Sequence, residues 1–352
     1  MTNSRSITIP IILIALIIGG AALHTMQPVL LPFVVALFLA NIFRPVVGYL
    51  RHRHIPMGVA LVVVMIIVGA FLVGVGAVAV SSVQSLLKAM PRYELRWNNT
   101  ILPGLSHLLE SAPQVIQDQV NTLKWSNLVQ VSSIITMIYA GAGGFVNVLS
   151  GTALILLFML FILGGHGLFE KKIRMAYPEH ADNLADLIQR IDAKTEKYFQ
   201  TVTVVNLASG IITAGILMVF GVDLALLWGL FTFLINFIPT IGSIIALVLP
   251  ISVALLQFDG LGTPLAVACT LVPIQFLWSS VVTPRIMGYS LDLSPLLVLL
   301  SLIFWGWVWG PWGMIFSVPM TSMIKIALES VDATKPVAVL MSSGGTKKSG
   351  MH

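Results

Sequence analysis

The residues best suited to handling a solute are neutral, polar and set in apolar surroundings. Asn236, Thr240 and Ser243 flank the break Pro239-Thr-Ile-Gly-Ser243, which interrupts an otherwise apolar stretch. Gln275, Ser279, Ser280 and Thr283 run down a single apolar segment. Gln275 and Ser279 are four residues apart, so helical geometry puts them on one face. Asn206 and Ser209 lie in the apolar segment before the break. Amides and hydroxyls of this kind can hydrogen-bond a small neutral polar solute, and in lipid they also serve as ordinary helix–helix contacts.

Charged chemistry has less support. None of the fourteen acidic residues falls in the middle of an apolar run, and Asp223, Asp259 and Asp292 all lie at run ends. Intramembrane carboxylates are the usual sign of proton or cation coupling, although backbone carbonyls at a broken helix can hold sodium without one. Lys325 is the basic residue set deepest in an apolar run, and its long stem can snorkel to a surface. Catalytic signatures are missing. None of the seven histidines belongs to an HExxH or lies mid-run beside a carboxylate, and the chain carries no Walker A sequence. Ser209 has no histidine or lysine within a helical turn to activate it. Neither an enzyme nor a resident cofactor or metal is expected, and Cys269, the single cysteine, reads as packing.

The elements that would position these residues are membrane helices. The 352 residues are 57% hydrophobic and 9% charged, with mean hydropathy +0.96. A soluble globule of this size lacks the charge to cover so apolar a composition. Continuous apolar runs, rather than short alternating ones, specify an all-α polytopic membrane protein and exclude an outer-membrane barrel. Spans are expected at Ile7–Leu23, Gln27–Phe43, Met57–Val80, Phe145–Leu163, Val202–Phe220 and Pro264–Val282. The first of these reads as a span rather than a cleaved leader, because a second apolar run follows almost at once. Residues Ser81–Ile138 carry charges between apolar residues at helical spacing. They read as extramembrane amphipathic helices broken at Pro91, Pro103 and Pro113. A second amphipathic helix is expected over Glu170–Lys197.

Two stretches are different. Leu224–Ile238 and Ile244–Leu256 flank the first break, and Leu296–Val308 and Met314–Leu328 flank Gly310-Pro-Trp-Gly313. These half-segments are shorter than the ~17 to 25 residues that span comfortably. Each pair is either two crossings or a hairpin dipping partway in, and the short lengths and Pro/Gly breaks favour hairpins. The count is then about eight membrane elements, with two oppositely oriented hairpins. Paired, interrupted segments of this kind point to a transporter's binding site. Trp305, Trp307, Trp309 and Trp312 cluster at the second break, where they read either as an interfacial belt or as a gate.

The charge balance sets the orientation. With the N-terminus cytoplasmic, fifteen Lys and Arg residues fall on the cytoplasmic side and four on the other. That bias explains the net charge of +5 by topology and removes the need for a nucleic-acid partner. The expected divisions are residues 1–80 (N-terminal spans), 81–144 (extramembrane helices), 145–199 (a span and a cytoplasmic amphipathic helix), 200–330 (transport core) and 331–352 (flexible cytoplasmic tail). Both termini are then cytoplasmic.

The C-terminal half resembles the autoinducer-2 exporter family of bacterial inner-membrane proteins. The resemblance rests on Asn236-Phe-Ile-Pro-Thr-Ile-Gly-Ser243, Pro284-Arg-Ile-Met-Gly288, Leu300-Ser-Leu-Ile-Phe-Trp-Gly-Trp307, Gly310-Pro-Trp-Gly-Met314, Ser317-Val-Pro319 and Lys325-Ile-Ala-Leu-Glu329. It implies export of autoinducer-2, a small polyol furanone important in quorum sensing. It also implies a pentameric homo-oligomer and an elevator-like movement of the hairpin half. Some members of the family resemble sodium(lithium)/proton antiporters. The family pattern often has Glu before the Pro-Arg-Ile-Met-Gly stretch, whereas position 283 here is Thr, so a coupling carboxylate is missing at that point. Arg285 remains and could pair with Asp292 or cap a helix. The expected path is lined by Asn236, Pro239, Thr240, Gly242 and Ser243 at the first break, and by Gln275, Ser279, Ser280 and Arg285 opposite. Trp305, Gly306, Gly310, Pro311 and Gly313 line it at the second. Antiport and a non-transporting scaffold are the competing functions.

Overall fold

The computed structural model describes residues 18–110, 152–165, 181–239, 241–287 and 292–343, with isolated positions between 113 and 178. Among the described residues the chain is helical, with no strand. Among those residues, five helices are long and apolar enough to cross a membrane, and three shorter apolar helices accompany them. This agrees roughly with eight membrane elements. Most of the first expected span and of residues 111–151 lie outside the described residues.

Helix α1 is Gln27–His52 and α2 is Met57–Arg96. They pack with α4, Thr152–Gly164, in a layer of small and branched side chains. Ala36, Ala40, Ala60, Val64 and Met159 form its centre. The second span, expected to end at Phe43, runs on as helix through the basic segment to His52, past Pro45. Arg44 gains a reason to stay in the helix there, because it pairs with Glu196 at 3.0 Å and Asp192 at 3.4 Å.

Helix α2 overrides two further expectations. It passes residue 80 and Pro91 without a break, then continues through a π-turn at Trp97–Ile101 into α3, Leu102–Leu108. At 1.5 Å per residue its forty residues reach about 60 Å, roughly twice the hydrocarbon thickness. Losing one backbone bond at Pro91 is offset locally. Met90 and Tyr93 are buried, Arg92 pairs with Asp223, and Tyr93 donates its hydroxyl to the same carboxylate at 2.8 Å. The amphipathic helix and the fifth span likewise merge into one helix, α5, Ala181–Val219.

Both interrupted stretches fold back on themselves. In the first, α6 is Ala225–Ile235 and α7 is Ile241–Gln257. Its base is clasped by Gln257, whose side chain accepts from the Asp223 N–H at 2.6 Å and donates to the Gly221 carbonyl at 2.7 Å. Helix α8, Gly262–Leu277, follows and runs on through a π-turn at Trp278–Val282 to Met287. The second is α9, Pro295–Glu329, which loses helical geometry at Trp309 and Gly310. Gly310 adopts φ +61° and ψ −142°, a conformation reserved for glycine. The Trp305 indole donates to Thr321 at 3.1 Å, although sixteen residues of straight helix would separate them by about 24 Å. A short helix, α10, Lys335–Met341, follows.

The hairpins point in opposite directions. The base of the first meets the far end of α2, where Arg92 binds Asp223 and Arg96 binds Asp259 at 3.3 Å. The base of the second lies at the other end of α8, where Asp292 meets Lys325. A shared aromatic hub joins the halves: Phe38 of α1 lies 4.2 Å from Phe199 of α5 and 4.4 Å from Phe316 of α9, centroid to centroid.

The first hairpin is held to α5 by backbone proximity. A Cβ on Gly229 would sit 2.5 Å from Ala214 Cβ and 2.6 Å from the Gly210 carbonyl. Gly229→Ala should therefore destabilise by about 2 kcal/mol, as overpacked cores do. A melting curve of the purified protein should move clearly downward, and an unchanged curve would refute this close seam.

Candidate functional site

The tip of the first hairpin carries a closed ring of neutral side chains. Asn236 donates its amide to Ser209 Oγ at 3.2 Å, and Ser209 lies within 3.4 Å of Gln275 Oε1 as donor. Gln275 completes the circuit by donating to Asn236 Oδ1 at 3.2 Å. Each residue gives one bond and accepts one, an arrangement in which the bonds polarise one another. Three elements meet here: α5, the hairpin tip and α8. Ser209 and Gln275 are buried, and Asn236 is partly so.

The backbone of the tip supports this. Ile238 N–H bonds the Ile235 carbonyl at 2.9 Å, and Gly242 N–H bonds the Ile238 carbonyl at 3.0 Å. A Cβ on Gly242 would lie 2.0 Å from the Ile235 carbonyl oxygen, so only glycine lets the two arms approach this closely. The second tip repeats the device: a Cβ on Gly313 would lie 1.8 Å from the Trp305 carbonyl oxygen. Gly242 and Gly313, two of the four glycines expected on the path, thus each close a hairpin. Pro239 and Ser243 are partly buried at the same turn, and Thr240 lies outside the described residues.

A polar stripe continues from the ring along α5. Thr203, Asn206, Ser209 and Thr213 recur at three- and four-residue steps, and Thr232 is buried on α6, which packs against α5. Thr203 Oγ1, Asn206 Nδ2 and Thr232 Oγ1 are buried with no hydrogen-bond partner among the described residues. Unpaired polar atoms are costly in lipid and mark places where a polar guest gains bonds. Thr203, Thr213 and Thr232 escaped the sequence reading, and Ser209 was not among the expected path residues. The regular spacing along α5 was the available signal.

Other expected path residues are placed elsewhere. Ser279 and Ser280 are exposed, and Ser279 turns back to the Phe276 carbonyl at 3.3 Å. Gln275 is buried at the ring, whereas Ser279 lies in the π-turn that begins at Trp278 and is exposed. Arg285 is exposed and does not meet Asp292. At the second tip, Trp305 and Trp309 are buried while Trp307 and Trp312 are about half exposed. Trp309 donates its indole to the Leu23 carbonyl at 3.0 Å, and His24 Nδ1 lies 2.7 Å from the Val308 carbonyl. Gly306 packs closely against Met314, and Gly310 and Pro311 form the bend itself. The second tip is therefore packed against the N-terminal helical residues rather than against the ring.

The deepest charge is structural. Lys325 is only 3% exposed and does not snorkel. Its ammonium donates to Asp292 Oδ2 at 2.8 Å and the Asp292 carbonyl at 2.7 Å, and pairs with Glu329 at 3.2 Å. Asp292 also accepts from the Ser343 hydroxyl at 2.7 Å. Partial burial pushes the Asp292 carboxyl up, but the bonds from Lys325 and Ser343 outweigh it and hold the group below its ordinary value. Among the described residues no group of three or more His, Cys, Asp or Glu side chains could hold a metal ion.

A helical bundle with two opposed, broken hairpins and a neutral polar seam at one tip is the architecture of a multi-pass membrane transport protein. The chain belongs to the AI-2E family of transporters, whose family model, described as AI-2E family transporter, matches residues 11–333. The AI-2 transport protein TqsA of Escherichia coli (strain K12) is 31% identical over 97% of this chain and 96% of its own length. A putative transport protein of Haemophilus influenzae is 29% identical over 93% of this chain and 94% of its own. The putative transport protein YhhT of Escherichia coli (strain K12) is 26% identical over 95% and 94%. These relatives are named as transporters rather than enzymes.

Asp292→Asn should lower stability by about 2 kcal/mol, the order expected for a hydrogen bond to a buried charge. Because the folded-state carboxyl value is depressed, its contribution is present above the ordinary carboxylate pKa and is lost as pH falls through the lowered one. Melting temperatures of wild type and variant should differ at neutral pH and converge below about pH 4. A constant gap across that range would remove the ion pair from the account.

Proposed function

We propose that this protein exports a small neutral polar solute, with autoinducer-2 as the physiological substrate. The solute passes the Ser209–Asn236–Gln275 ring. That ring is the observation that carries the proposal, since its members are neutral and offer both donors and acceptors. A polyol can replace each of these bonds as the ring opens, and the unpaired atoms of Thr203, Asn206 and Thr232 continue the path. The name of the Escherichia coli relative, AI-2 transport protein, supports the choice of solute. The protein lies in the bacterial inner membrane with both termini cytoplasmic. It works as a homo-oligomer of five chains in which the hairpin half moves like an elevator. Arg285 and the second tip, with Trp305, Gly306, Gly310, Pro311 and Gly313, border the path in another stage of that movement.

Sodium/proton antiport is the second reading, and it has a specific obstacle. Asp223, Asp259 and Asp292 are each engaged by Arg92, Arg96 or Lys325 at hairpin bases, away from the ring. The neutral ring favours solute export over it.

Labelled autoinducer-2 should cross proteoliposomes only when the protein is present, tested with and without an imposed proton gradient. Asn236→Ala and Gln275→Ala should each reduce that flux about tenfold or more, the effect of about 1.4 kcal/mol on a transport barrier, while their assembly on size exclusion stays normal. Wild-type flux from both variants would remove the ring from the path. No flux from wild type, together with a pH-dye response to sodium, would replace export with antiport.

A further inference from the structure

Away from the ring, two grooves run into one another along α2. The first, of about 690 Å³, lies between the outer part of α2 and the start of the first hairpin. One face of α2 lines it: Ser81, Ser85, Lys88 and Arg92 recur at three- and four-residue steps, with Ser82 beside them. The second, of about 360 Å³, continues toward the N-terminus of α2, between Phe71, Gly74 and Val75 on one side and Ile211, Leu230 and Phe233 on the other. All residues lining the second groove are apolar, and Val78 and Leu226 line both. The result is one continuous channel with a hydroxyl-rich, cationic end and a hydrocarbon end.

We propose that this channel is a binding site for an anionic phospholipid. Its phosphate lies against Lys88 and Arg92, and one acyl chain fills the groove between α2 and α6. The change from polar to apolar lining falls between Val78 and Ser81, where the hydrophobic run of the third span ends. Head and tail are therefore at the levels a bilayer lipid requires.

The charge balance selects an anion. Asp223 borders the polar end, but its carboxylate is already engaged by Arg92 and by the Tyr93 hydroxyl. Lys88 is exposed and has no ion-pair partner among the described residues, which leaves one uncompensated positive charge. A free phosphate would use only the polar end. The apolar end, about 10 Å of α2 from Phe71 to Val78, calls for hydrocarbon. Gly74 makes room for it, since a Cβ there would meet nothing within 4 Å.

The test uses the full-length protein, delipidated in detergent and titrated separately with phosphatidylglycerol, phosphatidylcholine and inorganic phosphate. Bound lipid is counted by native mass spectrometry. One phosphatidylglycerol should bind about fivefold tighter than phosphatidylcholine, the preference one basic group confers. Lys88→Gln should abolish that preference. Gly74→Phe, whose Cβ meets nothing within 4 Å and whose ring takes up space in the apolar end, should weaken both lipids, with its melting curve confirming the fold. Equal affinity for the two lipids in wild type, binding of phosphate without lipid, or variants that bind like wild type would each overturn the site. A photoreactive residue in place of Ser85 distinguishes other occupants. A lipid-mass adduct supports the site. An adduct to a second copy, or to residues 111–151 of the same chain, contradicts it.

Discussion

Inside a bilayer every polar group must find its partner within the protein, and a helix broken at mid-depth violates that rule unless something else satisfies the freed groups. The two hairpins exist because each tip solves the problem differently. At the first, turn bonds around Ile238 and Gly242 are backed by the ring of Ser209, Asn236 and Gln275. At the second, the Trp305 and Trp309 indoles bond Thr321 and the Leu23 carbonyl. The hairpin bases are fastened by charges, through Arg92, Arg96 and Lys325.

This division of labour has a consequence for transport. A hydrogen bond between neutral groups contributes about 1 kcal/mol net, so a ring of them opens at small cost when a solute offers equivalent bonds. A buried ion pair is far more costly to open, because a stranded charge costs about 3 to 5 kcal/mol. Lys325, buried and paired with Asp292, stands at a hairpin base, away from the neutral bonds of the first tip, where the proposed path requires the segments to part. Helix α5 serves both roles. Its glycine seam holds α6 close, and its polar stripe runs on past the tip.

Composition and run length made the fold class legible, and the Pro/Gly breaks located both hairpins. Gly242 and Gly313, expected on the path, stand where two backbone segments approach closely. Helix continuity was not legible. Proline at 45 and 91 marks a break in isolation, yet Arg44 and Tyr93 each find a distant partner that keeps the helix going. Pairing across the fold was also hidden. Asp292 lies seven residues from Arg285 in sequence but meets Lys325 instead. Gln275 is buried while Ser279, in the π-turn, is exposed and bonds back to the Phe276 carbonyl, a difference that spacing alone does not announce. Asn236 and Gln275 were named separately, and only the fold shows that Ser209 closes them into a ring.

The central claim is that the solute is received by groups that do not titrate. Its most direct test is the number of protons exchanged when autoinducer-2 binds the purified protein, followed in weakly buffered solution between pH 6 and 8. The account predicts saturable binding with no net proton uptake or release, and an affinity unchanged across that range. Release or uptake of about one proton per solute bound, or competition by sodium, would show that a charged group receives the solute and would contradict it.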